Sequence, residues 1–170
     1  MKKLLVVLFL LTAGVSAHSQ TGIYGEFSAA DYHRPTTNWQ YGPTFGLYSQ
    51  PLGVPFVRAG FDIRGSFLGK GNEKVDSILG GLRVQVHPHV VPLMPYGEAL
   101  AGVAHVNVGQ GSANTTGTGV EYQLVGGLDV TLLPHLDWRA IEYSWSSVHA
   151  PHSVTFEPQA ISTGVVLRLP

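Results

Sequence analysis

Val57-Arg58-Ala59-Gly60-Phe61-Asp62-Ile63-Arg64-Gly65-Ser66-Phe67 changes character at every step. Val57, Ala59, Phe61, Ile63 and Phe67 share one face, and Arg58, Gly60, Asp62, Arg64 and Ser66 share the other. That is the period of two of an extended strand, not the period of a helix. The same alternation recurs along the chain. Ile78, Leu82, Val84 and Val86 oppose Arg83, Gln85 and His87, while Tyr122, Leu124, Leu128, Val130 and Leu132 oppose Glu121, Gln123, Asp129 and Thr131. The pattern predicts eight strands, over residues 22–32, 41–49, 55–67, 75–87, 95–108, 120–132, 136–145 and 155–169. Each is close to, or somewhat longer than, the ~9–11 residues with which a tilted strand crosses a bilayer.

Alternation alone does not say which face is inside, because a soluble sandwich also alternates. Composition narrows the choice. Charged residues make up 12% of the 170-residue chain, against about 25% in ordinary globular domains. Glycine occurs 21 times and cysteine not at all. Without cysteine the chain has neither disulfides nor a lipidated cysteine anchor. A net charge of −1 gives no footing for nucleic acid or for an electrostatic membrane tether.

The N-terminus reads as an export signal. Met1-Lys2-Lys3 is followed by an apolar run from Leu4 to Leu11 that continues through Ala13, and then by the small-residue exit Val15-Ser16-Ala17. Positive start, apolar centre and small-residue exit predict a cleaved signal over residues 1–17 and a single mature domain over 18–170, beginning at His18. The apolar run is shorter than the ~20 residues of a spanning helix.

The connections differ at the two ends of the predicted strands. After the first, third, fifth and seventh come polar stretches: His33–Asn38, Gly69–Lys74, Gly109–Gly117 and Ser146–His152. After the second, fourth and sixth come proline-bearing links: Gln50-Pro51-Leu52-Gly53, Pro88–Pro92 and Leu133-Pro134-His135. Polar loops at one end, and short turns plus both termini at the other, are the pattern of outer-membrane barrels. Aromatic residues band at the strand ends, with Phe56, Tyr96 and Trp138 near the short turns and Tyr32, Trp39, Tyr41, Phe67, Tyr122 and Trp145 near the loops. These positions predict two interfacial girdles.

Over residues 18–170 the sequence resembles the small eight-stranded outer-membrane β-barrel family, which includes the OmpA transmembrane domain and the OmpX-like and opacity-type surface proteins. The most specific piece is Ser162-Thr163-Gly164-Val165-Val166-Leu167-Arg168-Leu169, where Ser162, Gly164, Leu167 and Leu169 match the insertion signal of barrel C-terminal strands. The chain ends Leu169-Pro170 where such strands carry an aromatic residue. The resemblance implies an all-β, antiparallel, up-and-down transmembrane barrel in the outer membrane of a Gram-negative bacterium. It also implies a monomer in contact with outer-membrane lipid, inserted by the assembly machinery, with no cofactor.

An eight-stranded barrel has an interior just wide enough for its own side chains. The alternation predicts that Glu26, Arg58, Asp62, Arg64, Arg83, Glu98, Glu121, Asp129, Glu142 and Arg168 fill it as paired charges, a structural plug in preference to an ion path. No catalytic or metal-binding set is expected. His87, His89 and His135 lack acidic or thiol partners for a metal. His149 and His152 lie near Ser147 and Ser153 without the histidine–serine strand motif of eight-stranded lipid A deacylases. The glycine-rich stretch Gly109–Gly119 is read as a loop, since no Lys-Ser/Thr follows to cradle phosphate. The expected role is therefore a non-enzymatic surface protein that displays loops, structural or adhesion-like. The alternatives are a narrow channel or transport barrel, a lipid A-modifying enzyme and a soluble lipocalin-like binding barrel.

Overall fold

The computed structural model describes residues 20–32, 39–88, 91–110, 113–150 and 154–169. The expected signal over 1–17, the expected start at His18, the whole of the first polar loop (33–38), His89, His152 and Ser153 lie outside these residues. Nine strands follow in order: β1 (Gln20–Asp31), β2 (Trp39–Val54), β3 (Val57–Lys70), β4 (Glu73–Val86), β5 (Leu93–Gln110), β6 (Ala113–Leu133), β7 (Leu136–Ala150), β8 (Val154–Phe156) and β9 (Gln159–Leu169). Every pairing is antiparallel, and consecutive strands from β1 to β7 are neighbours. Strands β8 and β9 both pair with β7, at Val148–Ala150 and Leu136–Trp145 respectively, so they share one place in the ring. The ring thus has eight places. It closes through β1 and β9, from Thr21↔Leu169 to Asp31↔Gln159.

The sequence pattern reads β8 and β9 as one strand, and Glu157-Pro158 interrupts it. Proline has no N–H to give the ladder. Its carbonyl still accepts the Ser146 N–H at 2.9 Å, so β7 remains paired across the break. Other boundaries also move. The expected link Gln50–Gly53 lies within β2, where a register shift between Ser49 and Leu52 accommodates Pro51. The turn itself is Pro55-Phe56, with Phe56 at φ 78° and its carbonyl accepting the His87 N–H at 2.7 Å. Proline presets the first turn position, and the second takes the left-handed conformation that glycine favours.

Three of the expected polar loops shrink in the same way. Gly69–Lys74 tightens to a two-residue turn at Gly71-Asn72, with Gly71 at φ 62°. The glycine-rich stretch after β5 is mostly ladder, paired from Asn107↔Thr116 to Gln110↔Ala113. Residues 146–150 belong to β7. Thr115, Thr116 and Thr118 are residue types that suit a paired strand, and the ladder of the β5–β6 hairpin runs through them despite the glycines around them.

The faces are reversed relative to a soluble protein. Phe27, Phe45, Phe61, Ile63, Ile78, Leu82, Leu124 and Ile141 are each more than half exposed on the outside. Arg64, Arg83, Arg139, Asp62, Asp129 and Glu142 are buried inside. An apolar outside and a polar inside suit a barrel solvated by lipid, where every backbone N–H and C=O must be paired within the chain. No described helix is long and apolar enough to cross a membrane, which says nothing of crossing by strands.

Three inward tyrosines lie against glycines on the neighbouring strand. Tyr24 faces Gly46, Tyr48 faces Gly22 and Tyr96 faces Gly127 in the register. A Cβ at any of these glycines would overlap the facing ring. The rings shield backbone that has no side chain of its own.

A pair of substitutions tests this packing. Gly127→Val should lower the unfolding free energy by about 1–3 kcal/mol through overpacking against Tyr96. Gly126→Val should leave it nearly unchanged, because nothing lies within 4 Å of a Cβ there. Urea midpoints in lipid vesicles, together with the heat-dependent electrophoretic shift of a closed barrel, give the comparison; equal losses would contradict the packing.

Candidate functional site: the charged lumen

The lumen is built strand by strand from inward residues at every second position. Glu26 comes from β1, Asp62 and Arg64 from β3, Arg83 from β4, Glu98 from β5, Asp129 from β6 and Glu142 from β7, all buried. Glu121 on β6 is buried nearer the loop end. Arg58 and Arg168 sit half-buried at the turn end, where Arg58 bonds Gln20, and Arg168 lies 3.0 Å from Asp137 and donates to the Leu133 carbonyl at 3.4 Å.

Arg139 sits at the centre of the layer with no exposed surface, although strict alternation from Glu142 points it outward. A bulge explains the difference. Asp129 pairs with Arg139 and Leu128 with Ile141, so Ala140 is an extra residue on β7. The extra residue returns both Arg139 and Glu142 to the inside. Thr163 Oγ1 donates to the carbonyls of Arg139 (2.9 Å) and Ala140 (3.3 Å), which satisfies the disturbed backbone. The sequence carries a mark of this. In Asp137, Arg139, Glu142, Ser144 and Ser146 the polar spacing is two, three, two, two.

Three guanidiniums and five carboxylates close into one layer. Arg139 Nε donates to Asp129 Oδ1 at 2.9 Å, and its Nη1 donates to Glu142 Oε2 at 3.1 Å and also bonds Glu26. Arg83 Nη2 donates to Asp129 Oδ2 at 2.9 Å, while its Nη1 bonds Glu98. Arg64 Nη1 donates to Glu142 Oε1 at 2.7 Å, and Arg64 also bonds Glu98 and lies 3.6 Å from Asp62. Tyrosine hydroxyls fill in, from Tyr96 to Glu142 at 2.5 Å and from Tyr24 to Asp62 at 2.8 Å. The Arg83 guanidinium carbon lies 3.8 Å from the centre of the Tyr96 ring and 4.4 Å from that of Tyr48. That of Arg139 lies 4.3 Å from Tyr24 and 4.6 Å from Tyr96. Planar cations between ring faces and carboxylate forks combine the two geometries in which arginine binds best.

Two aromatic assignments therefore change. Tyr96 and Tyr32, expected in the girdles, face inward; Tyr96 belongs to the charged layer, and Tyr32 packs with Val75, Ala104, Val106 and Val148. Both share parity with an inward acid, Tyr96 with Glu98 on β5 and Tyr32, just past β1, with Glu26 on that strand. Phe56, Trp138, Trp39, Tyr41, Phe67, Tyr122 and Trp145 are exposed on the outside. Of the C-terminal motif, Ser162 and Gly164 face inward, while Leu167 and Leu169 face outward.

Between the charged layer and the loop end runs a belt of hydroxyls. Ser162 donates to Ser28 at 2.8 Å, Ser28 and Thr44 bond at 2.9 Å, and Thr44 donates to Ser66 at 3.0 Å. Glu121 accepts hydrogen bonds from Ser77 and Ser146. These groups line a partly open pocket beside Arg64 and Glu142, whose volume of about 30 Å³ is room for roughly two waters.

The remaining candidates do not assemble. His149 stands edge-on to Tyr122 on the outer face, 6.2 Å between ring centres. His135 is exposed in the β6–β7 turn. Among the described residues no three His, Cys, Asp or Glu side chains come together as a metal site. His87 lies just past β4, half-buried, and neither of its ring nitrogens has a hydrogen-bond partner among the described residues. Burial, then the charges of Arg58 and Arg168, lower its pKa to about 4.

Arg139→Ala should cost about 3–5 kcal/mol of unfolding free energy, because it strands buried carboxylates. Arg168→Ala should cost roughly 1 kcal/mol or less at the wetter mouth. Fluorescence of the three tryptophans during urea unfolding measures both, and equal effects would contradict a sealed layer. His87 should stay neutral in the folded barrel down to a midpoint near about 4. An unfolded chain protonates it near the ordinary value of about 6.5, so its contribution to stability is complete above that pH and is lost as the pH falls towards the folded midpoint. NMR titration of the imidazole checks this, and Arg58→Gln should move the midpoint upward.

No family model matches the sequence, and no curated protein matches it significantly. Solved structures do match in shape. Neisserial surface protein A superposes with a TM-score of 0.63 at 14% identity, covering 89% of this chain and 97% of that one. Ail, the attachment invasion locus protein of Yersinia pestis, gives 0.57 at 12% over 89% and 97%. The N-terminal β-barrel domain of Pseudomonas aeruginosa OprF gives 0.53 at 11% over 89% and 100%. At these identities the likeness is one of fold, and the fold is the eight-stranded antiparallel barrel of small outer-membrane proteins.

Proposed function

We propose that the protein is a non-enzymatic barrel of a Gram-negative outer membrane, closed to ion flow, that anchors a surface-exposed hairpin end. The observation that carries this reading is the sealed layer of Arg64, Arg83 and Arg139 with their carboxylates, all at most 5% exposed. Eight strands leave a lumen that side chains can fill, and here they fill it with paired charges. The outer band supports the membrane assignment. On β4, apolar residues run from Ile78 to Val86, and Asp76 and Lys74 lie beyond them.

The β5–β6 hairpin continues past this band. Beyond Val103 and Val120 its outer face turns polar, with His105 bonded to Thr118 at 3.0 Å. That polar extension is the part available to a partner outside the cell, and an adhesion-like role suits it. The printed names "surface protein" and "attachment invasion locus protein" of two structural neighbours agree with this. Leu167 and Leu169, facing outward at the end of β9, are the groups offered to the assembly machinery.

Purified protein in planar lipid bilayers tests the closed lumen. No stable conductance steps are expected from the wild-type barrel, and reproducible steps at neutral pH would overturn the reading.

A further inference from the structure

We infer that the loop-side half of the lumen holds a site for one monovalent metal cation, Na⁺ or K⁺, built on the Glu121 carboxylate. Glu121 is 5% exposed, and among the described residues it stands in none of the ion pairs. Arg64, the guanidinium on the wall of the same pocket, is bonded to Glu98 and Glu142. The layer below already sets five carboxylates against three guanidiniums, so it has no positive charge to spare. The partners of Glu121 are instead the hydroxyls of Ser77 on β4 and Ser146 on β7. The Gln123 amide donates to Ser146 Oγ at 2.9 Å, which leaves the Ser146 proton for Glu121. Two neutral hydroxyls offset a buried charge only in part, and a counter-charge is still needed.

The pocket beside Glu121 supplies the space and the remaining ligands. It has room for roughly two waters, which is room for one bare ion and one water. Its wall adds the hydroxyls of Thr44, Ser66 and Ser144, and presents no imidazole or sulfur. Oxygen donors of this kind suit hard cations. The charge of the site selects among them. One unpaired carboxylate among neutral hydroxyls balances one positive charge, and the second carboxylate on the wall, Glu142, is held by Arg64 and Arg139. Mg²⁺ keeps several of its waters, which this volume does not hold. Through Ser77, Glu121, Ser144 and Ser146 the ion ties β4, β6 and β7 together above the arginine layer.

Urea unfolding of the full-length barrel in lipid vesicles tests the site. Ionic strength is held constant while N-methylglucamine chloride, whose cation is too large for the pocket, is exchanged stepwise for NaCl or KCl. An ion bound by the folded barrel alone raises the folded-to-unfolded ratio, by about tenfold when the ion stands at ten times its dissociation constant. Glu121→Gln should remove this dependence on Na⁺ and K⁺, with the heat-dependent mobility shift verifying that the variant folds. If it fails to fold, Ser77→Ala should instead move the response to higher metal concentration. No dependence in the wild type would overturn the site and show that Glu121 is neutralised by a proton. Equal dependence in the wild type and in Glu121→Gln, or in Ser77→Ala where that variant replaces it, would also overturn the site, because the ion would then sit elsewhere. Conductance plays no part in this measurement, so its outcome is separate from that of the closed-lumen reading.

Discussion

A backbone crossing lipid has no water to satisfy its N–H and C=O groups, and each one left unpaired costs several kcal/mol. The pairing of β1 with β9 meets that constraint, since it leaves the ring without an open edge within the band. Closure at eight places then sets the width of the interior. What fills it follows from the same constraint: the outside must be apolar, so the polar half of every alternating strand is turned inward.

The interior is consequently a place where charges must neutralise one another. Arg139, Arg83 and Arg64 each contact two or more carboxylates. Buried ion pairs are weak sources of net stability, because desolvation offsets much of the attraction. Their stronger effect here is on register. A slip of one residue turns every side chain of a strand over, and an arginine on the lipid face near the midplane costs about 2–4 kcal/mol. The charged layer thus penalises wrong pairings of β3, β4 and β7 more than it rewards the right one. The tyrosine–glycine contacts act in the same sense, since each ring needs its own glycine on the facing strand.

The filling is graded along the axis. Arginines and glutamines occupy the turn end, the ion-paired layer the middle, hydroxyls the next level and aliphatic side chains the loop end. A barrel with such an interior has its inside committed to structure. Under the proposed function, contact with other molecules falls to the surfaces that remain, the apolar outer band and the polar end of the β5–β6 hairpin.

Most of the strands were legible from alternation alone, because the two faces meet solvents as different as lipid and a charged lumen, and each residue reports its solvent locally. The paired segment 57–67 and the inward placement of Arg64, Arg83 and Glu98 follow from that period of two. Turn positions were less legible: Pro51 looks like a turn residue, yet a bulge absorbs it, and the glycines after β5 look like a loop, yet Thr and Val keep the ladder going. Arg139 and Tyr96 depended on the tertiary structure. Arg139 faces inward because Ala140 is looped out where β7 meets β6 and β9, a decision made by the register of three strands at once. Tyr96 is held inside by Gly127 on the next strand and by the guanidiniums that reach it across the lumen. Local solvation is written in the order of residues along one strand, whereas the partners of a buried charge are set by strands that meet only when the ring closes.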